Sequence, residues 1–171
     1  MSKNRMASES SVNRVTIEHL KIACRHVQEM MAAGMTENHA IRLLELFADV
    51  YAKLHNGGSA VPHHVSQVPY TQWSVAAKQL KRQNPNIKAS GNLVVEHGTP
   101  RRQFARLIRR LFENSALTEK EMASLVKRYW KLAVVTKQED QYLNSKFRNI
   151  LFSTPKKRWA AADIEFDDSE I

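Results

Sequence analysis

The stretch NLVVEHGTP, residues 92–100, sets a carboxylate beside an imidazole, Glu96 and His97, where a short apolar run gives way to Gly and Pro. A neutral imidazole can take a proton near pH 7, and a base of this kind contributes ~10²- to 10⁴-fold in rate. Further along, TKQEDQYLN opens a helix with Glu139 and Asp140 in its first turn. Carboxylates are hard ligands suited to Mg²⁺ or Mn²⁺. Neighbours in a regular strand point to opposite faces, so Glu96 and His97 share a site only if the strand ends or bulges; Gly98 permits such a break. His97 acts with Asp140 only if imidazole and carboxylate reach one face.

Basic residues follow at once. From Lys78 to Arg110 the chain carries Lys78, Lys81, Arg82, Lys88, Arg101, Arg102, Arg106, Arg109 and Arg110 against a single acid, Glu96, and the whole chain has a formal charge of +9. At helical spacing Arg102, Arg106, Arg109 and Arg110 lie opposite or beside the apolar Phe104, Leu107, Ile108 and Leu111. Guanidiniums without acidic neighbours in sequence repel unless solvated or facing an anion, so these nine bases are candidate nucleic-acid contacts, with DNA ahead of RNA. Lys156, Lys157 and Arg158 could extend the patch. Trp73, Tyr129, Trp130 and Trp159 are candidate base-stacking residues, although helical neighbours place Trp73 in a core.

The elements that must hold these groups are mainly helical. Gly and Pro are sparse, five of each, in a chain of 171 residues, which fits one main domain. Residues 1–15 read as a flexible leader. Residues 16–58 read as a helical hairpin: Ile17, Leu20, Cys24 and Val27 recur at helical spacing, Gly34 is a stop, and Thr36 opens a second helix with Leu43, Leu44, Phe47 and Tyr51 on its face. Residues 59–70 form a linker rich in Pro, Ser and His. A helix follows over 71–82, then strands at LVV (93–95) and LAVV (132–135). Capping-box spacings at Thr118–Glu121 and Thr136–Glu139 open two further helices. The fold class is mainly α within α+β, an N-terminal helical hairpin joined to a helical C-terminal unit at 71–166 with one two-stranded β element, and an acidic tail at 167–171.

Two short strands followed by a helix resemble the frame of the HNH-like (ββα-metal) endonucleases over residues 70–166, with VVEHGTP as the first strand and LAVVTKQEDQYLN as the second strand and last helix. The resemblance implies His97 as general base, Glu96 as a second catalytic or metal-side carboxylate, Asp140 where the family often has a metal-binding His or Asn, and Mg²⁺ or Mn²⁺ as cofactor. Thr136 takes roughly the place of the family's structural Asn. The residues also have plainer readings. Glu139 sits three after Thr136 as a cap does, and the helix dipole alone favours Asp140 in a first turn.

Cys24 is the lone cysteine, so an intrachain disulfide and a multi-cysteine zinc site are excluded. His63 and His64 lack a third ligand at suitable spacing. No signal peptide or membrane span is read, which fits a cytoplasmic protein without a membrane partner. The expected function is nucleic-acid binding. In the sharper form it is a divalent-metal endonuclease; the alternative is a non-catalytic regulatory or adaptor protein that meets DNA, RNA or a nucleoprotein, with the hairpin docking on a protein or on itself.

Overall fold

The computed structural model describes residues 15–56, 72–87, 92–115 and 117–167. Most of the leader, the linker, Lys88 and the end of the acidic tail fall outside the described residues. In chain order the elements are α1 (Ile17–Ala32), α2 (Glu37–Ala40), α3 (Arg42–His55), β1 (Gln72–Trp73), α4 (Val75–Gln83), β2 (Leu93–His97), α5 (Arg101–Asn114), α6 (Glu119–Tyr129), β3 (Leu132–Thr136), α7 (Lys137–Phe147) and α8 (Pro155–Ala160). The protein is mainly α-helical with a small mixed sheet, an α+β arrangement. No helix among the described residues is long and apolar enough to cross a membrane.

The hairpin forms where the apolar spacing puts it, and Gly34 takes a positive φ of 91° in the turn after α1, a conformation that suits glycine. Its apolar side is not closed on itself. Leu20, Cys24 and Val27 of α1 and Leu44 and Ala48 of α3 share one core with Phe104 and Ile108 of α5, Met122 and Val126 of α6, and Trp130 and Leu132. The side chains expected to make a separate hairpin therefore pack on the arginine-rich helix and the helix after it.

The sheet has three strands, not two, in the order β1-β3-β2. β2 runs antiparallel to β3 from Leu93↔Thr136 to His97↔Leu132, and β1 runs parallel, with Gln72 opposite Ala133. Apolar spacing alone assigns residues 72 and 73 to a helix beginning at Thr71. The helix starts later because the Ser74 side chain accepts from the Ala77 N–H as an N-cap, which leaves Trp73 in the strand. Central β3 is covered on both faces, so Leu132–Val135 is an unbroken apolar run. Leu132 faces the helical core and Val134 packs with Ala77 of α4, while Ala133 and Val135 pack with Leu143 of α7 and Trp159 of α8. β2 is an edge strand, and its free side borders the site.

Candidate functional site

The ladder continues regularly through His97, so neither end nor bulge brings Glu96 and His97 to the same face. Gly98 carries on the pattern, its N–H donating to the Lys131 carbonyl at 2.8 Å. What requires glycine there is room: a Cβ would sit 2.4 Å from Pro155 Cβ and 2.7 Å from Trp159 Cζ2. The absent side chain lets α8 close on the end of β2.

On the helical side, His97 Nε2 lies 2.9 Å from Asp49 Oδ1 of α3. Asp49 is only 3% exposed, and Lys53 Nζ donates to its other oxygen at 2.6 Å. Burial works against charge on Asp49, yet the contacts with His97 and Lys53 outweigh it and hold the carboxyl well below its ordinary range. An ionised carboxylate only accepts, so Nε2 must carry the hydrogen and Nδ1 is the nitrogen left to take a proton. The Trp130 ring packs edge-on to the imidazole at 6.3 Å and fixes its plane.

On the opposite face, Glu96 Oε1 accepts from Arg158 Nη1 at 2.8 Å, and the same nitrogen donates to the His97 carbonyl at 2.8 Å. Arg158 is 1% exposed, so it is a structural cation and not part of a surface patch. Asp140 comes to this side from α7. Its carboxyl is pushed up to about 6, first by burial and then by the charge of Glu96 and a hydrogen bond with it, against Asn144 and Arg158. The structure thus joins Glu96 with Asp140 and gives His97 a different carboxylate, Asp49. The His97 imidazole and the Asp140 carboxyl lie on opposite sides of β2, so the shared face that the pairing of His97 with Asp140 requires does not form. Glu139 serves as a cap, accepting from the Thr136 N–H at 2.7 Å and also from Ser74 Oγ at 2.9 Å.

Because β2 is an edge, one open cleft of about 510 Å³ touches both of its faces. Glu45, Glu96, His97, Arg101, Arg102 and Arg148 line it, with Asn144 beside them. Arg102, Arg106 and Arg109 of α5 do have acidic partners, supplied from far earlier in the chain. Arg106 Nε donates to Glu37 Oε2 at 2.9 Å, Arg109 Nη2 is 3.1 Å from Glu37 Oε1, and Arg102 Nε is 3.5 Å from Glu45 Oε2. Arg101 is exposed and only 4.0 Å at its nearest from Glu45 and Asp49, and Arg110 is exposed. On α4, Lys78 pairs with Asp167 at 3.7 Å, Lys81 Nζ donates to the Pro85 carbonyl at 2.6 Å, and Arg82 is exposed. α4 sits by the start of β2 and α5 follows its end, so the two basic groups are separated by the strand's length, roughly 16 Å.

Of the stacking candidates, Trp130 and Trp159 are buried, at 3% and 1% exposure, and have no face to offer a base. Trp73 is half-buried with Leu80 and Ile87, and Tyr129 is half-buried at the edge of the main core. Glu45, Asp49 and Arg148 are site residues that the sequence did not single out. The i,i+4 spacing of Asp49 and Lys53 was the one local sign of Asp49, and nothing in sequence marks Glu45 or Arg148.

Comparison with protein-family models, with curated proteins and with solved structures finds no match for this chain.

Proposed function

We propose that the protein binds nucleic acid by its phosphates, in the cleft along the free edge of β2. The observation that carries this reading is the convergence of Arg101 and Arg102 from the start of α5 and Arg148 from the end of α7 on one open cleft. Glu45 holds Arg102 in place and offsets part of the charge, leaving a cationic excess suited to a backbone and not to an apolar ligand. Arg106 and Arg109, anchored on Glu37, act as framework. Binding should weaken steeply with salt, and charge reversal at Arg101 and Arg148 should lower the slope by about 0.9 for each phosphate of duplex DNA that is no longer neutralised. Salt-independent binding, or none at low salt, overturns the proposal.

One observation favours a catalytic form: His97 opens on the same cleft, with its tautomer fixed by a buried carboxylate. In that form Nδ1 takes the proton of a water attacking phosphorus, Asp49 stabilises the imidazolium that results, and the P–O ester bond opposite the water breaks as its leaving oxygen takes a proton from solvent, the imidazolium later returning its own proton to solvent. Glu96 and Asp140, two hard donors whose crowded negative charge a divalent cation would relieve, lie across β2 from the imidazole, and Asp140 does not line the cleft, so an ion held by the pair would not act with His97 in the way the HNH resemblance implies. When bound there, Mg²⁺ or Mn²⁺ would offset the charge of the two carboxylates. Arg158 already occupies one oxygen of Glu96, so the ion would share that carboxylate. His97→Ala should abolish cleavage while binding survives; cleavage by that variant at the wild-type rate removes the catalytic form and leaves the binding reading standing.

A further inference from the structure

Three clefts follow one another along α3. The cleft at β2 has a neighbour of about 440 Å³ lined by Asn38, Arg42, Arg102, Arg106, Arg148 and Asn149, and the two share Arg102, Arg148 and Asn149. They are adjoining parts of one groove. A third cleft, also about 440 Å³, lies past the other end of α3, where His55 and Asn56 meet Lys120, Ser124, Lys127 and Lys131. No acidic residue lines the third cleft among the described residues.

Their order is set by α3. Arg42, Glu45, Asp49, Lys53 and Asn56 fall within an arc of about 80° on that helix and span roughly 21 Å of its axis. Arg42 belongs to the first cleft, Glu45 to the middle one, Asp49 to the wall behind its His97, and Asn56 to the third. The walls of the middle and third clefts are linked at the end of the sheet, where Gly98, next to His97, donates to the carbonyl of Lys131 at 2.8 Å. Lys120, Ser124 and Lys127 share one face of α6.

We propose that a nucleic-acid strand runs the length of α3, from Arg42 and Arg148 past His97 to a distal phosphate subsite at Lys120, Lys127 and Lys131. This rests on the phosphate-binding reading of the middle cleft and extends it. A single small anion fills one cleft and leaves the others, whereas a B-form strand sets a phosphate about every 3.4 Å of axis, roughly six over this length. Sequence-independent contacts at both ends would hold a strand in register across the imidazole in the middle.

The test is fluorescence-anisotropy titration of a duplex of about 20 base pairs across a range of salt, using the full chain, Lys120→Glu/Lys127→Glu, and Arg82→Glu on α4 as a control outside the track. The Lys120→Gln/Lys127→Gln pair repeats the measurement without charge reversal in case the first variant unfolds. The expected result is a salt slope smaller by about 2 for both lysine double variants, as for two phosphates left without a cation, and an unchanged slope for Arg82→Glu. Wild-type binding with an unchanged slope in the lysine variants overturns the track and leaves the middle cleft as the binding site. No binding by the wild type at low salt overturns both readings. Heparin binding as tight as the duplex, reduced equally by the same substitutions, overturns the assignment to a nucleic-acid strand.

Discussion

Replacing Asp140 with Asn should stabilise the fold near pH 8 and leave it unchanged below about pH 4. In the fold the Asp140 carboxyl is raised from 3.8 to about 6, chiefly by burial, then by Glu96. A raised carboxyl pKa means that the folded state holds its proton more tightly than the unfolded chain does. Below the unfolded value both states are protonated and stability is unaffected. As pH climbs through that value and on to about 6, the unfolded chain ionises first and folding stability falls; above it the full penalty is present. At about 1.36 kcal/mol per pH unit of displacement the penalty is at most about 3 kcal/mol, and screening of a half-buried group brings it to about 1 kcal/mol. Asn keeps the oxygen that accepts from Asn144 Nδ2 at 2.8 Å, so the substitution removes charge and little else.

Urea unfolding measured at several pH values reads this directly. With a slope of about 2 kcal/mol per molar urea, Asp140→Asn should move the midpoint up by about 0.5 M at pH 8, and the two curves should coincide at pH 4. An equal gain at both pH values would show that packing, not charge, is responsible. A variant less stable than wild type at pH 8 would refute the idea that Glu96 and Asp140 crowd one another.

The same contacts set further outcomes. If Glu96 and Asp140 hold Mg²⁺, the wild type should gain about 2.7 kcal/mol at a concentration one hundred times the dissociation constant, and Asp140→Asn should gain none, as read by thermal unfolding. Gly98→Ala forces a Cβ into Pro155 and Trp159; overpacking of this kind costs about 1–3 kcal/mol, and a variant with the wild-type melting temperature would contradict the close approach of α8. Asp49→Ala leaves Lys53 and His97 without their shared buried carboxylate and should cost about 3 kcal/mol at pH 7 in urea unfolding. Since the Asp49 carboxyl is depressed, its contribution is present at neutral pH and fades as pH falls below the ordinary carboxylate range, so the gap between variant and wild type should narrow in acid; a constant gap would argue for a cavity alone.

What could be read in advance was local. The boxes at Thr118–Glu121 and Thr136–Glu139 form as their spacing requires, and the apolar runs at 93–95 and 132–135 are strands. β1 escaped because two residues have no measurable period and a 3.6 pattern absorbs them; only Ser74, a cap inside the expected helix, marked the boundary. α8 carries its own signals, Thr154 as cap and Pro155 in the first turn, but its Lys-Lys-Arg run reads as surface charge. Arg158 is in fact buried on Glu96, a pairing between residues 62 apart in the chain.

The same distance in sequence decides how the charged helix should be understood. A window of nine bases and one acid looks unpaired because its carboxylates, Glu37 and Glu45, arrive from a hairpin more than fifty positions earlier, which sequence spacing cannot reveal. Pairing does not cancel the excess; it selects among the arginines. Arg106 and Arg109 become rigid supports on Glu37, while Arg101 keeps an exposed head, and Arg42 and Arg148, from outside the window, join it on the same groove. The exposed cationic surface is therefore built from three helices that only the fold brings together. The imidazole is the opposite case. Strand alternation, a purely local rule, already required Glu96 and His97 to diverge, and the edge position of β2 is what lets one cleft reach them both.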